Sequence, residues 1–260
     1  MDRKEKDGEA NGGGRKGALY IVGIGPCGLE ELTGRAREVL SSAECIVGYT
    51  RYVELISPLI RGKEVYSTGM TQEVERCRKA IGLAGEGKTV AIVSSGDAGI
   101  YGMAGLALEL APEDRGFTVE TVPGVPAFVS AASILGAPLM HDFASISLSD
   151  LLTPWAMIEK RIEAAAKGDF VIILYNPKSK TRVEGLSRAM DIIRRCRDKN
   201  TPAGIVRNAA RQGEEAVLTT VGEMERHYDM VDMQSIVIVG NSATFRKDGW
   251  IITPRGYKLK

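Results

Sequence analysis

Five short runs in this chain are apolar almost from end to end: ALYIVG (18–23), CIVGY (45–49), TVAIVSS (89–95), FVIILYN (170–176) and SIVIVG (235–240). None alternates apolar with polar residues, so none can leave one face in water. A strand apolar on both sides must be covered on both sides, the condition of strands in α/β sheets. Four weaker runs, FTVETV (117–122), ASISLS (144–149), AGIVR (203–207) and AVLTTV (216–221), extend the strand set. Between them lie helical patterns. TGRAREVLSSA (33–43) has Thr33 placed as N-cap, and TQEVERCRKAIGLA (71–84) puts Val74, Cys77, Ile81 and Ala84 on one face. Helix is also expected from about 102 to 110, over 155–167 and over 182–199. The RRCR run (194–197) would then form a solvated helix face. Strand and helix alternate in two sets that divide near residues 138–143, and no fixed-period repeat joins them. The expected architecture is two α/β domains, 17–140 and 141–260. Residues 1–16 are polar, Gly-rich and mixed in charge, and are expected to be a disordered tail.

Charge and cysteine content narrow the function. There are 34 Lys+Arg against 33 Asp+Glu, a net charge of +1, which argues against bulk nucleic-acid binding. No stretch approaches the ~20 apolar residues that span a bilayer. The segment MDRKEKDGEANGGGRK lacks the apolar core of a signal peptide. The 4 cysteines, Cys27, Cys45, Cys77 and Cys196, form no CxxC, and only His141 and His227 could add imidazole ligands. These features predict a cytoplasmic protein with reduced thiols and no metal site.

Two motif matches fail on context. GIGPCG (23–28) fits the dinucleotide pattern GxGxxG after a strand, but GLEEL separates it from the N-cap Thr33. The second strand ends Gly48-Tyr49-Thr50 with no ribose carboxylate, and Glu44 stands at its wrong end. GLAGEGKT (82–89) fits the phosphate-loop pattern, yet it runs from helix into strand, the reverse of the order that aims N–H groups at phosphate. Its glycines read as helix-terminating residues, with Lys88 opening a strand.

Three small-residue loops follow strand-like runs: VGIGPCG (22–28), SSGDAGIYG (94–102) and VPGVPAFVSAAS (122–133). Ligands of α/β sheets sit beyond the carboxyl ends of strands, and glycines there let a ligand approach the backbone. Asp97 is the carboxylate among them. It can accept from a ribose or an amino group, or cap the following helix; both readings stand.

Taken in order, GIGPCGLEELT, SSGDAGIYG, VPGVPAFVSAAS and IVGNSAT resemble the tetrapyrrole methylases across 17–260. Further segments, IVGYTRYV, HDFASISLSDLLTPW, LYNPKSKTR, IVRNAARQGEE and TPRGY, resemble the branch acting at C17 of precorrin-3B or cobalt-factor III in cobalamin biosynthesis. The resemblance implies two α/β domains with S-adenosylmethionine in a cleft between them, and a homodimer with a small-molecule tetrapyrrole substrate. It places Pro26, Ser95, Gly96, Asp97, Ile100, Pro126, Ala127, Asn176 and Ala209 at the cofactor. Cys27 replaces a glycine common in the family's first loop. It also implies methylation coupled to ring contraction, which needs proton movement. Asp150, Ser149 and Tyr49 are candidates for that work. Asp150 could equally cap the next helix, and His141 is read as structural. Arg51, Lys178, Lys180, Arg182, Arg207 and Arg211 are candidates for the substrate's carboxylates, since guanidinium and ammonium groups pair with such anions. The alternatives are a sister enzyme acting at another ring position and a non-catalytic tetrapyrrole-binding protein.

Overall fold

The computed structural model describes residues 16–26 and 29–258. The expected tail lies outside these residues except for Lys16, as do Cys27 and Gly28. The first sheet contains β1 (Ala18–Gly23), β2 (Cys45–Tyr49), β3 (Glu64–Thr68), β4 (Thr89–Ser94) and β5 (Thr118–Val122). All its pairings are parallel, in the order β3-β2-β4-β1-β5. Its inner strands β1, β2 and β4 are apolar on both faces, and both faces are covered. Leu19, Ile21, Val47, Val90 and Ile92 pack under α3 (Glu73–Gly85) and α4 (Ala104–Leu110). Val22, Ile46, Ala91 and Val93 pack under α1 (Gly34–Ser42) and α2 (Thr50–Leu55). Thr33 caps α1 by accepting the Ala36 N–H at 3.1 Å. Helix α3 starts two residues after the expected Thr71, which is held at φ 66 and cannot be helical.

Helix α5 (Ala127–Leu135) precedes the expected junction at 141 yet packs on the second sheet. Phe128, Ala131, Ala132 and Leu135 are buried against Val171, Ile173, Val206, Ile236 and Ile238. By these contacts the chain passes from one sheet to the other just after Gly124, rather than at 140/141. β6 (Gly136–Ala137) follows and joins β12 (Phe245–Lys247) and β13 (Trp250–Ile252) in a small sheet. The second large sheet holds β7 (Phe143–Ser147), β8 (Val171–Tyr175), β9 (Pro202–Arg207), β10 (Glu215–Thr220) and β11 (Ser235–Val239), in the order β10-β9-β11-β8-β7. Only β7 and β8 are parallel; the other pairings are antiparallel. Helices α6 (Trp155–Lys167) and α7 (Gly185–Arg194) cover the face opposite α5.

The two refused motifs are explained by the fold. Among the described residues, no helix follows β1 before Gly34. In GLAGEGKT, α3 ends at Gly85, Gly87 turns at φ 90, and Lys88 pairs with Glu64 at 2.8 Å on the way into β4. Glu44 accepts the Thr89 N–H at 2.7 Å, a structural role.

The RRCR reading is corrected. Helix α7 stops at Arg194, and the chain tightens through Arg195 and Cys196, which donate three residues back. Arg197 thereby turns inward, with a side chain only 3% exposed. Its guanidinium donates to the carbonyls of Ala166 (2.5 Å) and Phe170 (2.9 Å) and pairs with Asp169 at 3.1 Å. It ties the ends of α6 and β8 to the turn after α7. Asp169 is 44% exposed, so the loss falls on the bonds to the carbonyls, and a hydrogen bond from a charged donor contributes about 1.5–3 kcal/mol. Arg197→Ala should therefore lower the urea midpoint clearly, whereas Arg195→Ala, at an exposed position, should stay within ~0.5 kcal/mol of wild type. Equal midpoints for the two variants would show that Arg197 is not a tie.

Candidate active site

The carboxyl ends of β1, β4 and β5 lie side by side, and their loops touch. Gly25 donates to Gly96 O (3.0 Å) and Gly96 returns a bond to Gly25 O (2.8 Å). Both residues have positive φ, at 72° and 66°. The Asp97 carboxylate accepts the Gly99 N–H through Oδ1 (2.8 Å) and the Gly124 N–H through Oδ2 (3.0 Å). It therefore closes its own turn and holds the loop after β5. A Cβ on Gly124 would stand 2.2 Å from Gly96 O, so these glycines serve contact between loops. That differs from the expected role of admitting a ligand to the backbone. Asp97 does not cap α4, which begins at Ala104. Each of its oxygens keeps a lone pair beyond the bond it accepts.

Three groups carry the second sheet to this cluster. Tyr101, at the end of the Asp97 loop and at φ 55, donates to Ser145 O of β7 (3.0 Å) and lies 5.0 Å, ring to ring, from Tyr175. Tyr175, at the end of β8, accepts the Phe128 N–H of α5 through its phenol oxygen (3.2 Å). Burial pushes its pKa up to about 12, so it remains a neutral phenol. Arg211, in the turn between β9 and β10, donates to Pro26 O and to Ser95 Oγ (2.5 Å). One guanidinium from the second half thus holds the loops after β1 and β4. Its turn is shaped for this. Asn208 and Ala210 are left-handed, Arg211 N–H bonds Asn208 O at 2.8 Å, and Glu214 accepts the Ala210 N–H at 2.7 Å.

Around the junction, Ile100 and Ala127 pack against the apolar cluster that includes Ala209. Asn176, left-handed at φ 52, donates to Ser147 Oγ (3.0 Å), which also accepts the Ser149 N–H (3.2 Å). A carboxylate, small apolar walls and two amide- or hydroxyl-bearing strand ends thus line one seam between two sheets.

The model of the tetrapyrrole (corrin/porphyrin) methylases matches residues 18–225. This chain belongs to the tetrapyrrole methylase family. It is 52% identical over 242 residues to the probable cobalt-factor III C(17)-methyltransferase of Salmonella typhimurium, covering 93% of this chain and 100% of that protein. It is 45% identical to the protein of the same name from Methanocaldococcus jannaschii, over 92% and 97% of the two chains. The cobalt-factor III methyltransferase of Priestia megaterium is 49% identical, but the chain spans only 46% of its length. Among solved structures, the methyltransferase CobJ superposes with a TM-score of 0.85 at 36% identity, over 92% of this chain and all of that one.

Within this tetrapyrrole methylase, Pro26, Ser95, Gly96, Asp97, Ile100, Ala127 and Ala209 come together at the seam, with Pro126 opening α5 and Asn176 directly after β8. The catalytic and substrate candidates are more scattered. Tyr49 ends β2 and stands edge-on to Tyr52 at 5.1 Å. Asp150 caps no helix, since α6 begins at Trp155 behind Pro154; its Oδ1 lies 3.7 Å from Arg182. Lys178 donates to Tyr228 O (3.1 Å), and Arg207 faces its cross-strand neighbour Glu215 at 3.8 Å. Lys180 and Arg51 are exposed. His141 is exposed, and its Nδ1 accepts the Asp142 N–H at 2.8 Å. Arg211, grouped by sequence with the substrate cations, instead holds the two glycine loops. Tyr101 and Tyr175 escaped sequence reasoning because nothing in their spacing marks a contact across 74 residues; the one available hint was Tyr101 inside a small-residue loop.

Hydrogen bonds from a charged donor contribute about 1.5–3 kcal/mol. Arg211→Ala should therefore quicken amide exchange over residues 95–103 by about tenfold or more. Exchange as slow as in wild type would mean that the guanidinium does not hold these loops.

Proposed function

We propose that this chain is an S-adenosylmethionine-dependent methyltransferase acting at C17 of cobalt-factor III, in the construction of the corrin ring of cobalamin. The observation that carries the reading is the match to the Salmonella cobalt-factor III C(17)-methyltransferase along that protein's entire length. The seam between the sheets supports it. A cobalt-containing macrocycle is favoured over precorrin-3B because the relatives named for cobalt-factor III are 44% to 52% identical to this chain.

When bound, S-adenosylmethionine supplies an electrophilic methyl carbon for in-line displacement by a ring carbon. The residues present fit such a cofactor. Asp97 keeps acceptor capacity for ribose hydroxyls. Ile100, Ala127 and Ala209 offer an apolar wall for the base. Pro26, Ser95, Gly96, Pro126 and Asn176 complete the enclosure from both halves. Holding donor and acceptor carbons in line and excluding water is the protein's main contribution. Proton movement during ring contraction falls to Asp150 or Ser149, just past β7, or to Tyr49 at the end of β2. We assign the family's homodimeric state on resemblance alone. Sedimentation at twice the 28.0 kDa chain mass would support it, and a single 28.0 kDa species would reject it.

Incubation with methyl-labelled S-adenosylmethionine and either cobalt-factor III or precorrin-3B tests the reading. Label at C17 of a ring-contracted product is expected, with cobalt-factor III preferred. Calorimetry should show S-adenosylhomocysteine binding and no NAD binding. Label at another carbon would make the protein a sister enzyme. Tight NAD binding without a response to S-adenosylhomocysteine would overturn the assignment.

A further inference from the structure

Beyond the carboxyl ends of the parallel pair β7 and β8, a cavity of about 260 Å³ opens between the first turns of α6 and α7. Leu148, Trp155 and Val183 give it apolar walls, while Thr181, Arg182 and Arg188 add polar atoms. It adjoins the strand ends that carry Ser147 and Asn176. The two guanidinium groups differ in state. Arg188 lies over the Trp155 ring at 4.4 Å and pairs with Glu159 at 3.0 Å, and Glu159 also accepts the indole N–H at 2.8 Å. Arg188 is therefore a satisfied wall that holds the indole in place.

Arg182 is not satisfied. Its Nη1 is shut off from solvent and has no hydrogen-bond partner among the described residues. Asp150 Oδ1 stands 3.7 Å away, too far for a hydrogen bond, and Nη2 meets only the weak acceptor Met233 Sδ, also at 3.7 Å. The loop that presents it is rigidly made. Ser179 N–H donates to Arg182 O (2.9 Å) and Arg182 N–H donates to Ser179 Oγ (3.0 Å). A preformed loop thus offers, beside an apolar slot, a partly buried guanidinium whose counter-ion Asp150 stands too far away to accept a hydrogen bond from it. That pairing suits a group with a short methylene stem and an anionic head.

We propose that this cavity is a carboxylate subsite taking one acetate or propionate arm of the macrocycle, with Arg182 as its cation. Trp155 and Leu148 lie along the methylenes, and Asp150 is the resident counter-ion that the arm displaces. The proposal rests on the macrocycle methyltransferase reading above. The acids at the rim, Asp150 and Glu184, oppose a free small anion. An arm tethered to a macrocycle held elsewhere arrives at high effective concentration and overcomes that repulsion.

The sign of two substitutions tests it. Binding of cobalt-factor III in the presence of S-adenosylhomocysteine is followed by quenching of tryptophan fluorescence. Arg182→Met should weaken macrocycle binding by about tenfold or more, the loss of one desolvated charge-assisted pair. Asp150→Asn should tighten binding, because it removes the competitor for Arg182. Affinity for S-adenosylhomocysteine should not change in either variant. A merely structural Arg182–Asp150 pair predicts otherwise: Asp150→Asn would leave binding unchanged or weaken it, and either result overturns the subsite. So does an Arg182→Met protein that binds the macrocycle as wild type does. Should Arg182→Met fail to fold, Asp150→Asn carries the test by its sign. A wild-type protein that binds S-adenosylhomocysteine but no macrocycle would refute the functional reading and the subsite with it. Macrocycle binding by wild type together with an indifferent Arg182→Met would refute the subsite alone.

Discussion

The carboxylate of Asp97 accepts one N–H from its own loop and one from the loop after β5, while Gly25 and Gly96 exchange hydrogen bonds between the loops after β1 and β4. Three strand ends of one parallel sheet are fixed as a unit by these four bonds. Backbone must meet backbone for this to happen. A side chain at Gly124 would be driven into Gly96 O, and one at Gly23 into Gly124 N at 2.7 Å. The same contacts direct the chain beyond Gly124 away from the first sheet and into α5, whose apolar face covers the second. The geometry of the loops thus decides where the second half of the molecule docks.

Three contacts of different kinds bring the second half to these loops. Tyr101 reaches out to β7, Tyr175 supports the first turn of α5 from β8, and Arg211 reaches back to the loops after β1 and β4. The Tyr175 phenol and the Arg211 guanidinium are partly withdrawn from water, where polar contacts strengthen. The seam they border joins the acceptor capacity of Asp97 to the small apolar surfaces of Ile100, Ala127 and Ala209. No single domain could supply that combination, which is why a ligand here would sense the relation between the two halves.

Much of this was legible in the residues. β1, β2 and α6 have the bounds that their patterns imply, because continuous apolar strands and a strong helical period leave few alternatives. β3 (EVYST) escaped notice as an exposed edge strand with a single apolar valine. Helix α5 was hidden inside AFVSAAS, whose small residues carry little period and look like a loop. Arg197 and Arg211 show a deeper limit. A run of arginines in a helix-like segment implies solvent, and an arginine on a strand-end loop suits an anionic ligand. Which carbonyls or hydroxyls such a side chain finds is decided by tertiary approach, here over distances of 27 to 185 residues along the chain. The residues expected at the cofactor lie closer together than those expected at the substrate. The former sit at strand ends, whereas Lys178 donates to Tyr228 O and Arg207 faces Glu215.

Co-crystallisation with S-adenosylhomocysteine tests the central claim most directly. The account predicts density in the seam between the sheets, with the ribose within hydrogen-bonding distance of Asp97 and the base against Ile100, Ala127 and Ala209. A ligand bound elsewhere, whether along the Gly82–Thr89 turn or on one sheet without contact to the other, would contradict it.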